Sequence, residues 1–207
     1  MDRGSGTGRV GAGRQDPAVV LAGLQFTVVA IADTGGDRPE LVEIGVAVLD
    51  SGALDGQPRT WLVRPEQSIT RWATRAHGIG DGDVATAPAV RTVADQILTA
   101  IGGRPVITHR GMHCHTVLAA ALPGWSPPRV LDLRRLATLA WPATSLALGA
   151  LEATARLTVP GMPGRARHDT AATAGVFLAA TRRLNVTAGQ LTDRATVAHR
   201  VPDGTGG

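Results

Sequence analysis

Aromatic residues and cysteines are scarce in this chain of 207 residues. It has no tyrosine, two phenylalanines and four tryptophans. So few aromatic side chains disfavour the stacking surfaces on which many single-strand-binding proteins hold bases. The one cysteine, Cys114, excludes an internal disulfide and suits a reducing compartment.

Lysine is absent as well, so all 21 basic residues of the chain are arginines. With 17 acidic residues they leave a formal net charge of +4. This modest positive balance is compatible with phosphate binding. It is far from the dense basic patch that would indicate nucleic-acid binding by itself.

Long apolar runs are also missing from the sequence. The Val- and Ala-rich stretches are broken by Gly, Pro, Asp or Arg within about ten residues, well short of a membrane span. The first residues lack the apolar core and cleavage site of a secretory signal. We therefore expect no membrane association and, by default, a cytoplasmic location.

The length of the chain fits one domain with a sizeable core. Residues 1–17 are rich in Gly, Arg, Ser and Asp and have almost no large apolar side chain. Such a segment cannot bury enough surface to offset its ordering entropy. We predict a disordered leader over residues 1–23, an ordered domain over 24–184 and a flexible tail over 185–207.

The first part of the predicted domain has the pattern of β-structure. Residues 26–32 and 41–49 are rich in β-forming residues, and apolar side chains alternate along the second run. Asp55-Gly56 predicts a tight turn before a third strand at residues 60–63. These three strands are expected to form an antiparallel meander.

Helical and strand patterns alternate after this meander. Residues 65–88 are predicted to be an irregular connection, and short buried strands are predicted at 105–108 and 130–131. Ser145 is a plausible N-cap. The predicted helices cover residues 90–101, 112–122, 145–157 and 169–184. This order of elements predicts an α/β domain with one mixed sheet and helices on its faces.

Three local sequences, in this order, are similar to those of one enzyme family. Residues 73–88 match the pattern A-x-x-x-H-G-I-x-x-x-D-V-x-x-A-P, residues 41–45 (Leu-Val-Glu-Ile-Gly) match its second strand, and residues 130–132 (Val-Leu-Asp) precede a helix as in the family. From residue 26 to residue 184 the chain resembles the DEDDh (DnaQ-like) 3′–5′ exonucleases, which include the proofreading epsilon subunit of bacterial DNA polymerase III. The resemblance implies an RNase H-like fold.

Members of that family hydrolyse a terminal phosphodiester with two divalent ions, which are held by four carboxylates and assisted by a histidine base. The resemblance places the carboxylate positions at Ala30, Ala32, Cys114 and Asp169, and the base position at Gly164. Only Asp169 keeps a carboxylate. The other four positions are therefore interpreted as vestigial, and the chain as a degenerate member of the family.

Two further residues are candidates for catalysis beside these positions. His168 precedes Asp169, but adjacent residues of a helix point about 100° apart, so it is a poor substitute for the base. Asp33 could reach the site, although turn formation with Thr34 and Gly35 is the favoured interpretation. Asp169 could hold one ion, or cap a helix or bind water. No cofactor is expected, and Mg²⁺ or Mn²⁺ would serve any activity that remains.

Several soft ligands lie close together in the sequence around residue 114. His109, His113, Cys114 and His115 could bind zinc or another transition metal. Their spacing matches no standard zinc motif, and His113 and His115 cannot share one helix face with Cys114. The alternative is a cysteine that fills the vacated carboxylate pocket among surface histidines. His77 matches the family's loop histidine and is interpreted as a structural hydrogen-bonding residue.

The resemblance also implies where nucleic acid would bind. The expected contacts are Thr34, Gly35, His109 and Arg110, around the mouth of the cleft. Arg110 replaces the family's asparagine, and it is equally expected to contact a phosphate or to pair with Asp169.

Three functions are consistent with these residues. The favoured one is a catalytically inactive exonuclease-fold protein that binds single-stranded or 3′-end nucleic acid. The second is an active 3′–5′ exonuclease with a rearranged metal site that uses Asp33, Asp169 and, as a further candidate, His168. The third is a protein-interaction scaffold without a nucleic-acid role, whose partner the sequence does not identify.

Overall fold

The apolar runs in the first part of the chain form the antiparallel half of a mixed sheet. β1 (Gln25–Asp33) pairs with β2 (Leu41–Asp50), and β2 pairs with β3 (Ala53–Leu62). Two short strands, β4 (Val106–Thr108) and β5 (Val130–Asp132), extend the sheet in parallel on the other side of β1. The order is β3-β2-β1-β4-β5, which confirms the predicted mixed α/β sheet.

The computed structural model describes residues 16–197 of the chain. Within them, no helix combines the length and the apolar character that crossing a bilayer requires. The helices are α1 (Pro17–Val20), α2 (Arg71–His77), α3 (Asp81–Val84), α4 (Val90–Ile101), α5 (Gly111–Ala121), α6 (Leu133–Ala140), α7 (Leu148–Ala155), α8 (Ala166–Leu184) and α9 (Ala188–Ala195).

The β2–β3 connection differs from the prediction. The chain turns at Ser51 and Gly52, whose φ angles of 47° and 84° are both positive. Two successive positive φ angles suit a tight hairpin turn with the twist of its strands. Asp55-Gly56 instead lies inside β3, beside a break in the register between Val46 and Val48 of β2.

Several helix boundaries also differ. The predicted irregular connection over residues 65–88 contains α2 and α3, which were too short to give a clear apolar period. Ser145 does not cap α7, because that helix starts at Leu148 and its N-cap is Ala147. By contrast, α4 coincides with the helix predicted at residues 90–101.

The folded body extends beyond the predicted limits of 24 and 184. Leu21, just after α1, is completely buried, as is Leu191 in α9. Both side chains pack into the same apolar cluster as Phe177 of α8. The predicted boundaries were wrong at both ends because each short helix carries few apolar residues, and only tertiary packing shows that they are buried. The rest of the predicted leader and tail, 1–15 and 198–207, lies outside the described residues.

Close packing of α8 on the sheet depends on Gly45. A Cβ atom at this position of β2 would lie 2.4 Å from the Thr170 hydroxyl oxygen and 2.5 Å from the Ala166 carbonyl oxygen. No side chain fits in that space without displacing the helix backbone. The glycine thereby brings the first turn of α8 directly against β2.

An ion pair fixes the same end of α8. The Glu43 carboxylate on β2 accepts hydrogen bonds from Nε and Nη2 of Arg165, at 3.0 and 2.7 Å, and from the Ala166 backbone N–H at 2.8 Å. The Glu43 side chain is 6% exposed. Three donors satisfy a buried charge that would otherwise be costly. This pair positions the residues that follow Arg165.

Candidate active site

The ends of several elements meet at one cleft. β1 and β4 are parallel neighbours, so their carboxyl ends lie at the same edge of the sheet, and the first turns of α5 and α8 and one side of α2 complete the walls. All five positions that the resemblance assigned to metal binding and catalysis line this cleft. The lining residues are Ala30, Ile31, Ala32, Asp33, Trp72, Ala73, Ala76, His77, Thr108, His109, Arg110, His113, Cys114, Leu148, Gly164, Asp169 and Thr173.

The first two carboxylate positions are occupied by methyl groups. Ala30 and Ala32 alternate along β1, which places both side chains on one face of the strand. They are 7% and 4% exposed. A methyl group offers no lone pair to a cation, so this part of the cleft is apolar.

Cys114 provides a neutral group at the third position. Its side chain is 2% exposed and hydrogen-bonds to Thr108. Burial raises the pKa of the Cys114 thiol to about 12, and the negative charges of Asp132 and Asp33 act in the same direction. Because the thiolate is the form that binds metals, the neutral thiol behaves here as a small apolar group.

The general-base position is closed as well as empty. Gly164 has a φ of 87°, and a Cβ atom there would lie 2.3 Å from the Ala76 carbonyl oxygen and 3.0 Å from the His77 Cα atom. Both atoms belong to the backbone of the last turn of α2. An imidazole at this position would therefore require α2 to move.

Asp169 lines the cleft in the first turn of α8, whereas its neighbour His168 does not. The Asp169 Oδ1 atom accepts a hydrogen bond from the Gly164 backbone N–H at 3.0 Å and lies 3.0 Å from His168 Nδ1. His168 is 3% exposed, and its Nε2 atom lies 3.5 Å from the Glu152 carboxylate. Enclosed between two carboxylates, His168 is unsuited to activating water in the cleft.

Asp33 forms the predicted turn and also a contact that the sequence did not predict. Its Oδ1 atom accepts a hydrogen bond from the Gly35 backbone N–H at 2.8 Å, and its Oδ2 atom lies 2.7 Å from His113 Nε2. Burial raises the pKa of Asp33, but hydrogen bonds from His113 and Gly35 and the positive charges of His113 and Arg110 lower it by more. The carboxylate is thus held in its charged form and already paired.

The other histidines of the proposed zinc cluster point to separate partners. His109 Nε2 lies 2.7 Å from the Leu146 carbonyl oxygen, and burial lowers the pKa of this imidazole. His115 accepts a hydrogen bond from the Trp125 indole N–H at 3.0 Å. Within residues 16–197, no group of three or more His, Cys, Asp or Glu side chains is placed to hold a metal ion. The structure therefore does not assemble the cluster.

His77 has the structural role expected from the sequence. Its Nδ1 atom accepts a hydrogen bond from the Ile79 backbone N–H at 3.1 Å. The proton is therefore on Nε2, which lies 3.1 Å from the Asp33 carbonyl oxygen and donates to it. The imidazole joins the end of α2 to the end of β1.

The predicted nucleic-acid contacts divide into two groups. His109 and Arg110 line the cleft, but Thr34 and Gly35 do not. The Thr34 hydroxyl is 2.9 Å from the Glu40 backbone N–H, from which it accepts a hydrogen bond. In the described part of the chain, no ion pair joins Arg110 to an acidic residue.

Two cleft residues were not among the predicted site residues. Trp72 on α2 is 69% exposed, which is unusual for so large an apolar side chain. Thr173, one helical turn after Asp169, is completely buried. Its hydroxyl is the one buried side-chain polar atom within residues 16–197 without a hydrogen-bond partner. An unpaired buried hydroxyl that lines a cleft can bond to water or a ligand there. Neither property has a local sequence signal.

The donor set of the cleft does not fit a pair of divalent ions. Mg²⁺ and Mn²⁺ prefer carboxylate oxygens, and two dications about 4 Å apart repel by about 17 kcal/mol at an effective dielectric of 20. Asp33 and Asp169 are the carboxylates that line the cleft, and both already accept hydrogen bonds from the protein. They cannot offset repulsion of that size.

Comparisons with known proteins bear on the family and the fold of this chain. Residues 26–177 match the exonuclease family RNase_T. No curated protein matches the sequence. Among solved structures, exonuclease X in complex with 5′-overhanging duplex DNA is 25% identical, with a TM-score of 0.65 over 81% of this chain and 98% of that chain.

Two more distant structures share the fold. A 3′-exonuclease that recognises the histone mRNA stem-loop is 14% identical, with a TM-score of 0.64 over 87% of this chain and 73% of that chain. E. coli exonuclease I in complex with a dA16 oligonucleotide is 15% identical, with a TM-score of 0.65 over 82% of this chain and 42% of that chain. The family match spans most of the residues that form the sheet and the cleft, and this chain therefore belongs to the RNase_T exonuclease family, with the RNase H-like fold of the DEDDh exonucleases.

Proposed function

We propose that this protein binds the ends of single-stranded nucleic acid in its cleft without cleaving them. The composition of the cleft carries the proposal. The family's catalytic positions meet there, yet Asp169 is the one carboxylate among them, and the base position is closed by α2. The site decides the function, because a fold alone does not establish activity.

Loss of cleavage follows from the metal requirement of the family reaction. The ions bind and orient the phosphate, activate the attacking water and stabilise the leaving oxygen. In this cleft Ala30, Ala32 and Cys114 offer no charged ligand. His168, next to Asp169, does not take over proton transfer either, since it is buried between carboxylates.

Binding is supported by groups that suit a polyanion with exposed bases. The Arg110 guanidinium can contact a phosphate with two parallel hydrogen bonds. It precedes α5, whose first turn has no capping side chain and therefore adds positive partial charge. The exposed indole of Trp72 lies on the same cleft and can stack on a base.

An active exonuclease with a rearranged site is the second candidate. The observation that favours it is that Asp33 lines the same cleft as Asp169. Two carboxylates could hold one ion, although Asp33 would first have to release His113. This candidate predicts slow 3′ trimming with Mg²⁺ or Mn²⁺ that is lost in Asp169→Ala.

A cleavage assay separates these two candidates. A 5′-labelled single-stranded oligonucleotide is incubated with the protein and Mg²⁺ or Mn²⁺, and the products are resolved by length. We expect no trimming. Metal-dependent 3′ trimming that disappears in Asp169→Ala would overturn the proposal, whereas trimming unaffected by that substitution would indicate a contaminating nuclease.

A binding assay tests the positive half of the proposal. Fluorescence anisotropy with a labelled single strand should show an affinity that falls with salt. We expect Arg110→Ala and Trp72→Ala to weaken binding about tenfold each, which corresponds to about 1.4 kcal/mol. Arg91→Ala is the matched control, since Arg91 is exposed and lies outside the cleft. Absence of binding would favour the scaffold function instead.

A further inference from the structure

A second concave surface carries a concentration of positive charge. It lies where the C-terminal ends of α6, α7 and α8 come together, well away from the cleft residues. We call it the basic pocket, and its lining residues are Trp141, Thr154, Ala155, Arg156, Ala179, Arg182 and Arg183.

The three guanidiniums of the basic pocket have no acidic partners in the described part of the chain. The arginine ion pairs found within residues 16–197 involve Arg91, Arg129 and Arg165 instead. Arg183 donates a hydrogen bond from Nε to the Ala140 carbonyl oxygen at the end of α6. Its role is therefore partly structural, whereas Arg156 and Arg182 are exposed and donate no such bond to any residue from 16 to 197.

Compensation of helix dipoles explains only part of this charge. α6, α7 and α8 end at Ala140, Ala155 and Leu184. Each C-terminus is equivalent to about −0.5 of an elementary charge, so the three together account for about −1.5. Three guanidiniums exceed that by about +1.5, and this surplus remains available to an anion.

We propose that the basic pocket is a second phosphate-binding site, which contacts the backbone of a nucleic acid whose end lies in the cleft. The identity of this ligand rests on the proposed function. Guanidinium groups match phosphate geometry, and the half-buried Trp141 indole adds a surface for stacking.

The dimensions of α8 support a shared ligand. The cleft uses Asp169 and Thr173 near the start of this helix, and the basic pocket uses Arg182 and Arg183 near its end. At 1.5 Å per residue, Asp169 and Arg182 are about 20 Å apart along the axis. A stacked strand at about 3.4 Å per nucleotide covers that distance in about six nucleotides.

The test is fluorescence anisotropy with a labelled single strand of about 20 nucleotides, which is long enough to reach both surfaces. The double variant Arg156→Ala/Arg182→Ala removes two charges from the basic pocket and leaves Arg183 in place. Arg59→Ala/Arg91→Ala is the control, because it removes the same charge from exposed sites elsewhere. Thermal unfolding of each variant confirms that the fold is retained.

We expect the basic-pocket variant to weaken binding about tenfold. The slope of log K against log salt should fall by about 1.4, because each lost phosphate contact contributes about 0.7 on a single strand. The control should change affinity less than about twofold. Equal effects of the two double variants, or no effect of the basic-pocket variant, would overturn the inference.

The Arg110→Ala variant distinguishes failure of this inference from failure of the proposed function. If Arg110→Ala weakens binding but the basic-pocket variant does not, only the second site is wrong. If the basic-pocket variant weakens binding but Arg110→Ala does not, the basic pocket binds nucleic acid by itself, and both the proposed function of the cleft and the shared ligand are overturned. A wild-type protein that binds no oligonucleotide would overturn both.

Discussion

Two residues that pair in register on neighbouring strands show how differently the contact between β2 and α8 and the cleft are built. Glu43 on β2 is paired in register with Ala32 on β1. The Glu43 carboxylate is buried and accepts three hydrogen bonds, two from Arg165 and one from the backbone of α8. Ala32 occupies a position at which the family resemblance places a carboxylate, and it carries only a methyl group.

The difference is one of charge compensation. Arg165 and the backbone of α8 donate hydrogen bonds to Glu43, so this buried carboxylate stabilises the fold without a metal ion. Carboxylates at Ala30, Ala32 and Cys114 would have no comparable set of dedicated donors and would depend mainly on metal ions for neutralisation. In the absence of bound ions, methyl groups and a neutral thiol are more stable in such a buried space than unpaired charges, which are costly. The side chains of the cleft can therefore be substituted without disturbing the contact between β2 and α8.

The largest expected effect comes from restoring charge to the cleft. In the triple variant Ala30→Asp/Ala32→Glu/Cys114→Asp, three carboxylates are brought together at positions that are almost completely buried. At a cost of about 1–3 kcal/mol for each unpaired polar group, we expect the free energy of unfolding to fall by about 5 kcal/mol. Urea denaturation measures this loss, and Mg²⁺ should recover part of it if ions bind the native state.

The triple variant should nevertheless remain inactive as a nuclease. Gly164 cannot be replaced by histidine without moving α2, so the base is missing even when the carboxylates return. The variant is assayed with an end-labelled oligonucleotide and Mg²⁺ or Mn²⁺. Trimming well above the wild-type level would show that the closed base position is not what limits catalysis.

The next largest effect is expected at the ion pair between Glu43 and Arg165. Arg165→Met removes the guanidinium but keeps the aliphatic part of the side chain, which leaves Glu43 buried with one backbone donor. Loss of one partner from a buried ion pair costs about 3–5 kcal/mol. Arg165 is itself 38% exposed, so a value near 3 kcal/mol is expected. Arg167→Met on the exposed side of α8 is the control and should change stability by less than about 0.5 kcal/mol. Equal losses would mean that the ion pair does not support the fold.

Sequence alone predicted most of the scaffold and the composition of the cleft, but not the contacts that close it. The order of motifs was enough to bring Ala30, Cys114 and Asp169 to one place, because it specifies the topology. Closure of Gly164 by α2 depends on the distance between two backbone segments. The pairing of Asp33 with His113 joins residues that are 80 positions apart. Neither contact leaves a local pattern of periodicity or composition in the sequence from which it could be predicted.

A smaller effect is expected from Asp33→Asn. The folded-state pKa of Asp33 lies below the ordinary value of 3.8, so the charged carboxylate stabilises the fold above that pH and the contribution is lost as the pH falls through the lowered pKa. We expect the variant to be about 1 kcal/mol less stable than wild type at neutral pH. The difference should shrink as the pH falls below 3.8 and through the lowered pKa. A difference that stays constant with pH would indicate a steric cause and not a loss of charge.

The smallest effect concerns Cys114 and tests whether the cleft holds a thiolate. A thiol with a pKa of about 12 and 2% exposure is neutral and inaccessible, whereas a thiol reagent reacts with the exposed thiolate. The native protein should therefore show almost no labelling at mildly alkaline pH, and the denatured protein should be labelled once, at its one cysteine. Zinc should not alter the result for the native protein, because His109 and His115 point to other partners. Rapid labelling of the native protein that zinc blocks would instead indicate a metal site formed by the Cys114 thiolate. The cleft would then contain a buried charged ligand without the hydrogen-bond donors that stabilise Glu43, and the proposed difference between the two regions would be wrong.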